Sequence, residues 1–197
     1  MISSFRTQIV LDYAKWTALS ATRSGAPIKS RSDVYPLLDA VTFREVLSPG
    51  SPISSTEFDA WHEAQTLALC ARDERVPIGW GVKLLNVYLK TAAYVGDLGR
   101  PGIRDVIHPP IDSGLWEGLA GRFCRQPEIL AEACCVRRIR DITEYKTYNR
   151  IIGGCRAAAT VLGCSLLEVE QLWLGSATPT AAETLGLPGG ESEPPIT

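Results

Sequence analysis

The sequence predicts an all-α fold, with a single domain of about eight helices followed by a flexible tail. Apolar side chains recur every three or four residues through most of the chain, which is typical of helices that bury one face. No alternating run of apolar and polar residues is long enough to indicate a strand. The 197 residues are 45% hydrophobic and 21% charged, which is the composition of a globular chain with a core.

Helices are predicted wherever this spacing continues between breaks rich in Gly, Pro or Ser. In chain order the predicted helices are 3–18, 34–48, 54–73, 82–95, 113–125, 127–140, 143–162 and 165–174. The polar segment 19–33 and the Gly- and Pro-rich segment 96–111 are predicted to be irregular connections. Because the helix at 82–95 is apolar nearly all round, we expect it at the centre of the core.

Local signals mark several helix ends and the limits of the domain. Ser54-x-x-Glu57 and Ser165-x-x-Glu168 are capping boxes that open helices. Gly163 is a typical stop after a helix. Residues 1–175 are therefore predicted to form the domain, and 176–197, where Thr, Pro, Gly and Glu dominate, a flexible acidic tail.

Charge, cysteine usage and missing motifs narrow the function classes. The net charge of −2 excludes a nucleic-acid binder that works through bulk positive charge. The six cysteines are expected to be reduced and the protein cytoplasmic, since the first residues do not read as a signal peptide. No membrane, metal or cofactor is expected as a partner, because there is no apolar run of about 18 residues, no Cys-x-x-Cys and no phosphate-loop motif. With His62 and His108 as the only histidines, a catalytic triad is not expected.

One group of residues points to nucleophilic chemistry. In Pro77-Ile78-Gly79-Trp80-Gly81-Val82-Lys83, the two glycines permit a sharp turn and the close approach of another backbone. The helix that follows begins with free N–H groups and a positive dipole end, which suits a phosphate. Lys83 is expected in the first turn of this helix, where desolvation and the dipole disfavour its ammonium form and make it a usable amine nucleophile. Lys90, two turns further along the same face, is the alternative nucleophile.

A carboxylate is predicted to complete this group. In Pro110-Ile111-Asp112-Ser113, Asp112 is expected at the start of a helix, where the dipole keeps it ionised and able to stabilise a developing cation. The alternative role for Asp112 is that of an ordinary N-cap. The chemistry requires Lys83 and Asp112 to lie within a few ångströms of each other in a cleft.

At these residues the sequence resembles the helix-hairpin-helix DNA glycosylase superfamily, over 76–125. Gly79-Trp80-Gly81-Val82-Lys83, in the hairpin-like element 76–95, is similar to the family's L-P-G-V-G-x-K. Pro110-Ile111-Asp112, at the helix start of 110–125, is similar to its P-V-D. The resemblance implies that Lys83 attacks C1′ of a flipped nucleotide and that Asp112 supports the transition state. It also implies stacking on, or replacement of, the extruded base by Trp80, Trp116 or Tyr88.

The activity implied by this resemblance is excision of a damaged or modified base from DNA. If Lys83 forms a Schiff base, the strand is also cut by β-elimination. DNA is then the expected partner. Residues 122–156 carry eight basic and four acidic side chains, and Arg137, Arg138 and Arg140 are predicted to follow the DNA backbone. The alternative for this face is ordinary solvated helix surface.

A second function class rests on the C-terminal αα-hairpin predicted at 143–174. Its Gly163 turn and apolar spacing are typical of a helix-turn-helix core. The second helix offers mainly acidic or apolar side chains, which do not suit reading of a DNA groove, so a plain capped hairpin is the expectation. The alternative function is a non-catalytic all-α module that associates with DNA or binds a protein. The oligomeric state stays open.

Overall fold

The computed structural model describes residues 4–22 and 25–173, and these ranges contain helices and no strand, so the all-α prediction is confirmed. The α-helices are α1 (Ser4–Ser20), α2 (Arg31–Asp39), α3 (Arg44–Leu47), α4 (Ser55–Arg72), α5 (Ile78–Leu89), α6 (Ile103–Val106), α7 (Ser113–Arg122), α8 (Pro127–Ala133) and α9 (Tyr145–Leu162). A π-helix, Lys90–Val95, continues α5, and two 3₁₀-helices cover Ile139–Asp141 and Leu167–Leu172. The tail predicted at 176–197 lies outside the described residues.

The predicted helix at 34–48 is two helices, and the first of them begins inside the segment predicted as a loop. Ser30 caps α2, since its hydroxyl accepts the Asp33 N–H at 3.1 Å. Between α2 and α3 the Thr42 N–H donates to Gln65 Oε1 of α4 at 3.0 Å. That side chain of a distant element provides an acceptor for the Thr42 N–H where the chain turns. No local sequence pattern predicts such a bond.

Two caps were predicted at the residues where they occur. The Ser54 hydroxyl accepts the Glu57 N–H at 3.2 Å and opens α4. Gly163 ends α9 in the left-handed region, with φ of 65°. At the second predicted capping box, near the C-terminus, the Ser165 N–H donates to Glu168 Oε2 at 2.8 Å. The element that follows it is a short 3₁₀-helix and not the predicted α-helix.

The helix predicted at 127–140 ends at Ala133, because the residues after it cross the start of α5. After α8 the chain leaves the helix and runs across α5 as the segment 134–142. There the Ile142 carbonyl accepts the Gly79 N–H at 3.0 Å. The first amides of a helix have no partner within the helix, so this crossing satisfies one of them.

Helix α5 lies at the centre of the core, as predicted. One apolar cluster joins α1, α2 and α4 to one side of α5 through Leu84, Leu85 and Leu89. A second joins α7, α8 and α9 and reaches α5 through Val82. Because both clusters include side chains of α5, this helix joins the two parts of the core.

The end of this central helix departs from α-helical geometry. Lys90–Val95 forms a π-helix, and the Gly96 N–H donates to the Thr91 carbonyl, five residues earlier, at 2.9 Å. Short π-helical turns occur frequently at functional sites. This one begins at Lys90, which the sequence had singled out.

No helix in the described part of the chain is long and apolar enough to span a membrane.

The cysteines carry free thiols. Burial raises the pKa of Cys70 to about 11 and that of Cys155 to about 12, so both thiols stay protonated at neutral pH. Within 4–22 and 25–173, no group of three or more His, Cys, Asp or Glu side chains is placed to hold a metal ion.

Candidate active site

A cleft of about 1310 Å³ runs along the half-buried face of α5 and along the π-helix. Its walls come from the end of α1, the start of α7, the segment 137–140 and the C-terminal 3₁₀-helix. Of the eleven site residues predicted from the sequence, eight line it: Trp80, Lys83, Lys90, Asp112, Trp116, Arg137, Arg138 and Arg140. The fold therefore gathers side chains from three distant stretches of sequence around one cavity.

Lys83 and Asp112 meet in this cleft. They are 29 positions apart in sequence, and Lys83 Nζ lies 3.5 Å from Asp112 Oδ2. The lysine side chain is only 12% exposed and the aspartate 23%. The Trp80 ring lies beside the amine, with 5.5 Å between Nζ and the ring centroid. The proximity that the predicted chemistry requires is present.

Asp112 has its two oxygens committed to different partners. Oδ1 accepts the Leu115 N–H at 3.2 Å, so Asp112 is the N-cap of α7. The same oxygen accepts the Trp173 indole N–H at 2.8 Å. Oδ2 is the oxygen that faces Lys83. Asp112 is thus the N-cap considered from the sequence, and its other oxygen faces the Lys83 amine.

The prediction that Gly79 and Gly81 form a sharp turn is wrong. Gly79 and Gly81 lie inside α5, and neither has a positive φ. The reason is that the turn is made earlier, at 73–77, and glycine takes helical angles as readily as turn angles. The second role predicted for these glycines, the close approach of another backbone, holds at Gly79, where a Cβ would stand 1.9 Å from the Ile139 carbonyl oxygen. At Gly81 the close neighbour is a side chain, since a Cβ there would stand 2.7 Å from Cys70 Sγ.

The earlier start of α5 also changes the surroundings of Lys83. The helix begins at Ile78, which places Lys83 in the second turn and not in the first as predicted. The dipole acts mainly within the first turn, so it does not act on this amine as expected. The first amides of α5 are also occupied, because Trp80 and Gly81 N–H groups bond to the Pro77 carbonyl and Gly79 to Ile142. The helix start is therefore no open phosphate site.

Lys90, the alternative nucleophile, lies in the same cleft but faces another carboxylate. Its Nζ is 2.7 Å from the Glu170 carboxylate of the C-terminal 3₁₀-helix. Beyond it, the Tyr94 hydroxyl donates to Glu168 Oε1 at 2.9 Å. These two contacts fasten the C-terminal 3₁₀-helix to the wall formed by α5 and the π-helix.

Two of the three aromatic residues predicted to stack on a base are placed for packing instead. Tyr88 is 3% exposed and stacks on Phe43 in the first apolar cluster, away from the cleft. Trp116 reaches the cleft, but it is 5% exposed and its indole N–H donates to the Ala133 carbonyl at 2.9 Å. Helical spacing puts an aromatic residue on a face without telling whether that face is core or cleft. Trp80 alone of the three lies beside Lys83.

The arginine segment lies on the rim of the cleft. Arg137, Arg138 and Arg140 are exposed. Arg138 pairs with Asp141 at 2.7 Å, whereas Arg137 and Arg140 form no ion pair with the part of the chain that the structure describes. Gly79 makes this placement possible, because the Ile139 backbone occupies the space that a side chain at 79 would need.

The C-terminal hairpin differs from the predicted pair of α-helices. Its second element, Leu167–Leu172, is a 3₁₀-helix of 6 residues whose Leu167 and Val169 are buried. Its acidic side chains bond to Lys90 and Tyr94 across the cleft. An element so short and so packed presents no helix that fits a DNA groove.

A buried polar network lies behind the cleft and was not predicted from the sequence. His62, Asn86, His108 and Tyr148 are fully or almost fully buried. Asn86 Nδ2 donates to the Pro109 carbonyl at 3.0 Å and to the Tyr148 hydroxyl at 2.9 Å, while its Oδ1 lies 2.8 Å from His62 Nε2. Since the Pro109 oxygen only accepts, the amide orientation is settled, and His62 Nε2 carries the proton.

The remaining bonds of the network follow from this orientation. His62 Nδ1 accepts the Tyr145 hydroxyl at 2.7 Å. The Tyr148 hydroxyl donates to His108 Nδ1 at 2.9 Å, and His108 Nε2 donates to Asp59 Oδ1 at 2.9 Å. Burial opposes ionisation of Asp59, but hydrogen bonds from His108 and Arg156 outweigh it and lower the pKa of this carboxyl. Both histidines are neutral in this arrangement.

The network ties the two segments that meet in the cleft. Asn86 follows Lys83 by less than one helical turn, and Pro109 precedes Asp112 by three residues. The Asn86–Pro109 bond therefore fixes the lysine-bearing helix to the aspartate-bearing segment. The sequence signal for this bond was Asn86 itself, an amide in a helix that is apolar nearly all round, because a buried amide needs partners.

Stability should fall as the solution is acidified from pH 7.5 to 5.5. Burial, with a smaller contribution from His108, lowers the pKa of His62 well below 6.5; burial also lowers the pKa of His108, although Asp59 opposes this. Below pH 6.5 the two histidines are therefore protonated in the unfolded chain but stay neutral in the folded chain. Protons bind preferentially to the unfolded state, so the free energy of unfolding falls as the pH is lowered through 6.5. We expect a loss of about 2 kcal/mol.

Urea unfolding at the two pH values measures this difference. In His62→Gln the difference should be about halved, because one of the two buried imidazoles is gone. A free energy of unfolding that stays constant or rises toward pH 5.5 would contradict the neutral, buried state of the histidines.

The geometry above can be set beside known proteins. Comparisons of the chain with protein-family models, with characterised proteins and with solved structures found no match. Function is therefore inferred from the cleft itself.

Proposed function

We propose that the protein is a DNA base-excision glycosylase with abasic-site lyase activity, in which Lys83 is the nucleophile and Asp112 its electrostatic partner. The observation that carries the proposal is the Lys83–Asp112 pair, 3.5 Å apart and largely shielded from solvent, on the wall of a cleft. The similarity of these same residues to the helix-hairpin-helix glycosylase motifs supports it. A cleft of about 1310 Å³ has room for an extruded nucleotide.

The chemistry assigns one task to each group. The Lys83 amine, once it has lost its proton, attacks C1′; the bond from C1′ to the base breaks, and the base leaves with the electron pair and takes up a proton. The proton lost by the amine passes to water, and Asp112 Oδ2, which faces the amine at 3.5 Å, stays ionised and can stabilise the positive charge that develops on the sugar. Ring opening gives an imine between Lys83 and C1′. β-Elimination then removes a proton from C2′ and breaks the C3′–O bond, so that the 3′ phosphate leaves with the electron pair.

The rim of the cleft supports DNA as the substrate. Arg137, Arg138 and Arg140 are exposed and line the cleft, in the segment whose Ile139 backbone packs against Gly79 at the start of α5. Guanidinium groups bind phosphates with paired hydrogen bonds, and such contacts position a strand without reading its sequence. Because the net charge of the chain is −2, the attraction for the DNA backbone comes from this local group of arginines and not from the overall charge.

Borohydride trapping tests the proposal. The protein is incubated with oligonucleotides that carry an abasic site or an oxidised guanine, and borohydride reduces any imine to a stable covalent complex. We expect a protein–DNA band with the wild type and its loss, by at least about 100-fold, in Lys83→Gln. Lys90→Gln is the matched control, because it removes a second lysine of the same cleft and should keep the band.

The outcomes separate the hypotheses. A band lost only in Lys90→Gln would keep the activity and move the nucleophile along the helix. Absence of a band with wild-type protein on the abasic oligonucleotide would remove the lyase and leave a non-catalytic binding module as the better hypothesis.

A further inference from the structure

Trp173 contacts the carboxylate of the candidate site, although no sequence motif involves it. Its indole N–H donates to Asp112 Oδ1 at 2.8 Å. Together with the Leu115 N–H at 3.2 Å, it gives this oxygen two donors. An oxygen held by two donors cannot easily exchange places with the other carboxylate oxygen. Oδ2 is consequently the one that is turned toward Lys83, 3.5 Å away.

The seat of Trp173 is formed by two glycines on one face of α7. A Cβ on Gly114 would stand 2.3 Å from the Trp173 indole nitrogen, and one on Gly118 1.7 Å from the Leu172 carbonyl oxygen. Residues four apart lie above one another on a helix, so together they form a groove that admits the end of the C-terminal 3₁₀-helix. Any larger side chain at these two positions would displace the indole from Asp112.

The C-terminal 3₁₀-helix that delivers Trp173 is itself anchored. Leu167 and Val169 are buried in the two apolar clusters. Glu170 contacts Lys90 Nζ at 2.7 Å, and Glu168 accepts the Tyr94 hydroxyl at 2.9 Å. The indole therefore reaches Asp112 from an element fixed at both its apolar and its polar faces.

We propose that Trp173 is a positioning residue: its indole N–H holds the Asp112 carboxylate so that Oδ2 faces the Lys83 amine. The role in a reaction rests on the proposed function, whereas the hydrogen bond itself does not. Trp173 performs no chemical step. It acts on the reaction through the orientation of Asp112.

The kinetic test compares two tryptophan-to-phenylalanine variants. Trp173→Phe keeps an aromatic ring in the groove and removes the N–H donor. Trp61→Phe is the matched control, because the Trp61 indole nitrogen is buried without a hydrogen-bond partner among the described residues. With abasic oligonucleotide at saturation, we expect the single-turnover trapping rate to fall about 10-fold in Trp173→Phe, with its dissociation constant unchanged, and to stay at the wild-type value in Trp61→Phe.

A second variant removes the hydrogen bond between Trp173 and Asp112 without changing Trp173 itself. Gly114→Ala leaves the indole intact but displaces it from Asp112, so it should lower the trapping rate to a similar extent. A weakened affinity for the oligonucleotide with an unchanged trapping rate in Trp173→Phe would overturn the proposal, because Trp173 would then bind DNA and not position Asp112. Wild-type rates in both variants would overturn it as well.

The hydrogen bond is tested without any activity by NMR of the indole N–H groups. The five tryptophans give five indole signals, and Trp173→Phe identifies the one of interest. Asp112→Ser keeps an N-cap for α7 but is too short to reach the indole. We expect the Trp173 signal to move upfield in Asp112→Ser by more than any other indole signal.

This measurement separates the failure of the proposal from that of the function. An unmoved Trp173 signal would overturn the positioning role even if the wild type is trapped on DNA. A moved signal in a protein that is not trapped would uphold the orientation of Asp112 and remove the glycosylase function.

Discussion

Gly79→Ala is expected to lower the free energy of unfolding by about 3 kcal/mol. The new methyl group would stand 1.9 Å from the Ile139 carbonyl oxygen, and this neighbour is backbone that cannot swing away as a flexible side chain can. Either α5 or the segment 134–142 must shift, and with it the Gly79–Ile142 hydrogen bond. Urea unfolding followed by circular dichroism measures the loss.

Gly153→Ala is the matched control for that substitution. Gly153 is exposed in the middle of α9, and no atom lies within 4 Å of the position that a Cβ would take. Alanine there should stabilise the protein by about 0.5–1 kcal/mol, since it has the higher helix propensity. If Gly79→Ala is as stable as the wild type, the close crossing over α5 does not exist.

The same substitution has a consequence for the cleft. The displaced segment carries Arg137, Arg138 and Arg140, so the native fraction of Gly79→Ala should bind an abasic oligonucleotide more weakly and with a shallower salt dependence. An unchanged salt dependence would indicate that these arginines do not contact phosphates.

Asn86→Leu is expected to cost about 3 kcal/mol or more, although leucine has a similar size. The amide makes three hydrogen bonds inside the protein, to the Pro109 carbonyl, the Tyr148 hydroxyl and His62 Nε2. Its removal leaves these buried groups without their partner, and each unsatisfied group carries a desolvation penalty. Unfolding in urea at pH 7.5 measures the effect on the neutral network.

Thr66→Val provides the comparison for this variant. Thr66 is fully buried, and within the described ranges its hydroxyl has no hydrogen-bond partner. Loss of that hydroxyl leaves nothing unpaired, so Thr66→Val should cost less than about 1 kcal/mol or stabilise the protein. Equal costs for the two variants would show that the network adds no more than burial of an ordinary polar atom.

Much of the fold was accessible from the sequence because its signals are local. The apolar surround of α5 predicted its central place, and the cap signals at Ser54 and Gly163 predicted where α4 begins and where α9 ends. The pairing of Lys83 with Asp112 was also anticipated, but from similarity to a known motif and not from any physical rule linking two residues 29 positions apart.

The contacts that were missed are those between distant segments. Glycine is compatible with a turn and with a helix, so nothing local showed that Gly79 and Gly81 lie within α5. The shortened helix after Pro127 depends on where segment 134–142 meets α5, and the seat of Trp173 depends on Gly114 and Gly118 of another helix. Such close approaches are properties of the assembled core, which a single chain pattern does not encode.

The hydrogen bonds behind the cleft all point the same way. Tyr145 donates to His62, His62 to Asn86, Asn86 to Tyr148, Tyr148 to His108, and His108 to Asp59. Aligned bonds polarise one another, and the ionised Asp59 at the end of the row sets their common direction. The Asp59 carboxylate thus fixes the tautomer of His108, and the Pro109 carbonyl fixes the orientation of the Asn86 amide and with it the tautomer of His62. The amide that joins the lysine helix to the aspartate segment is therefore held by Pro109 directly and is linked to the Asp59 charge through Tyr148 and His108.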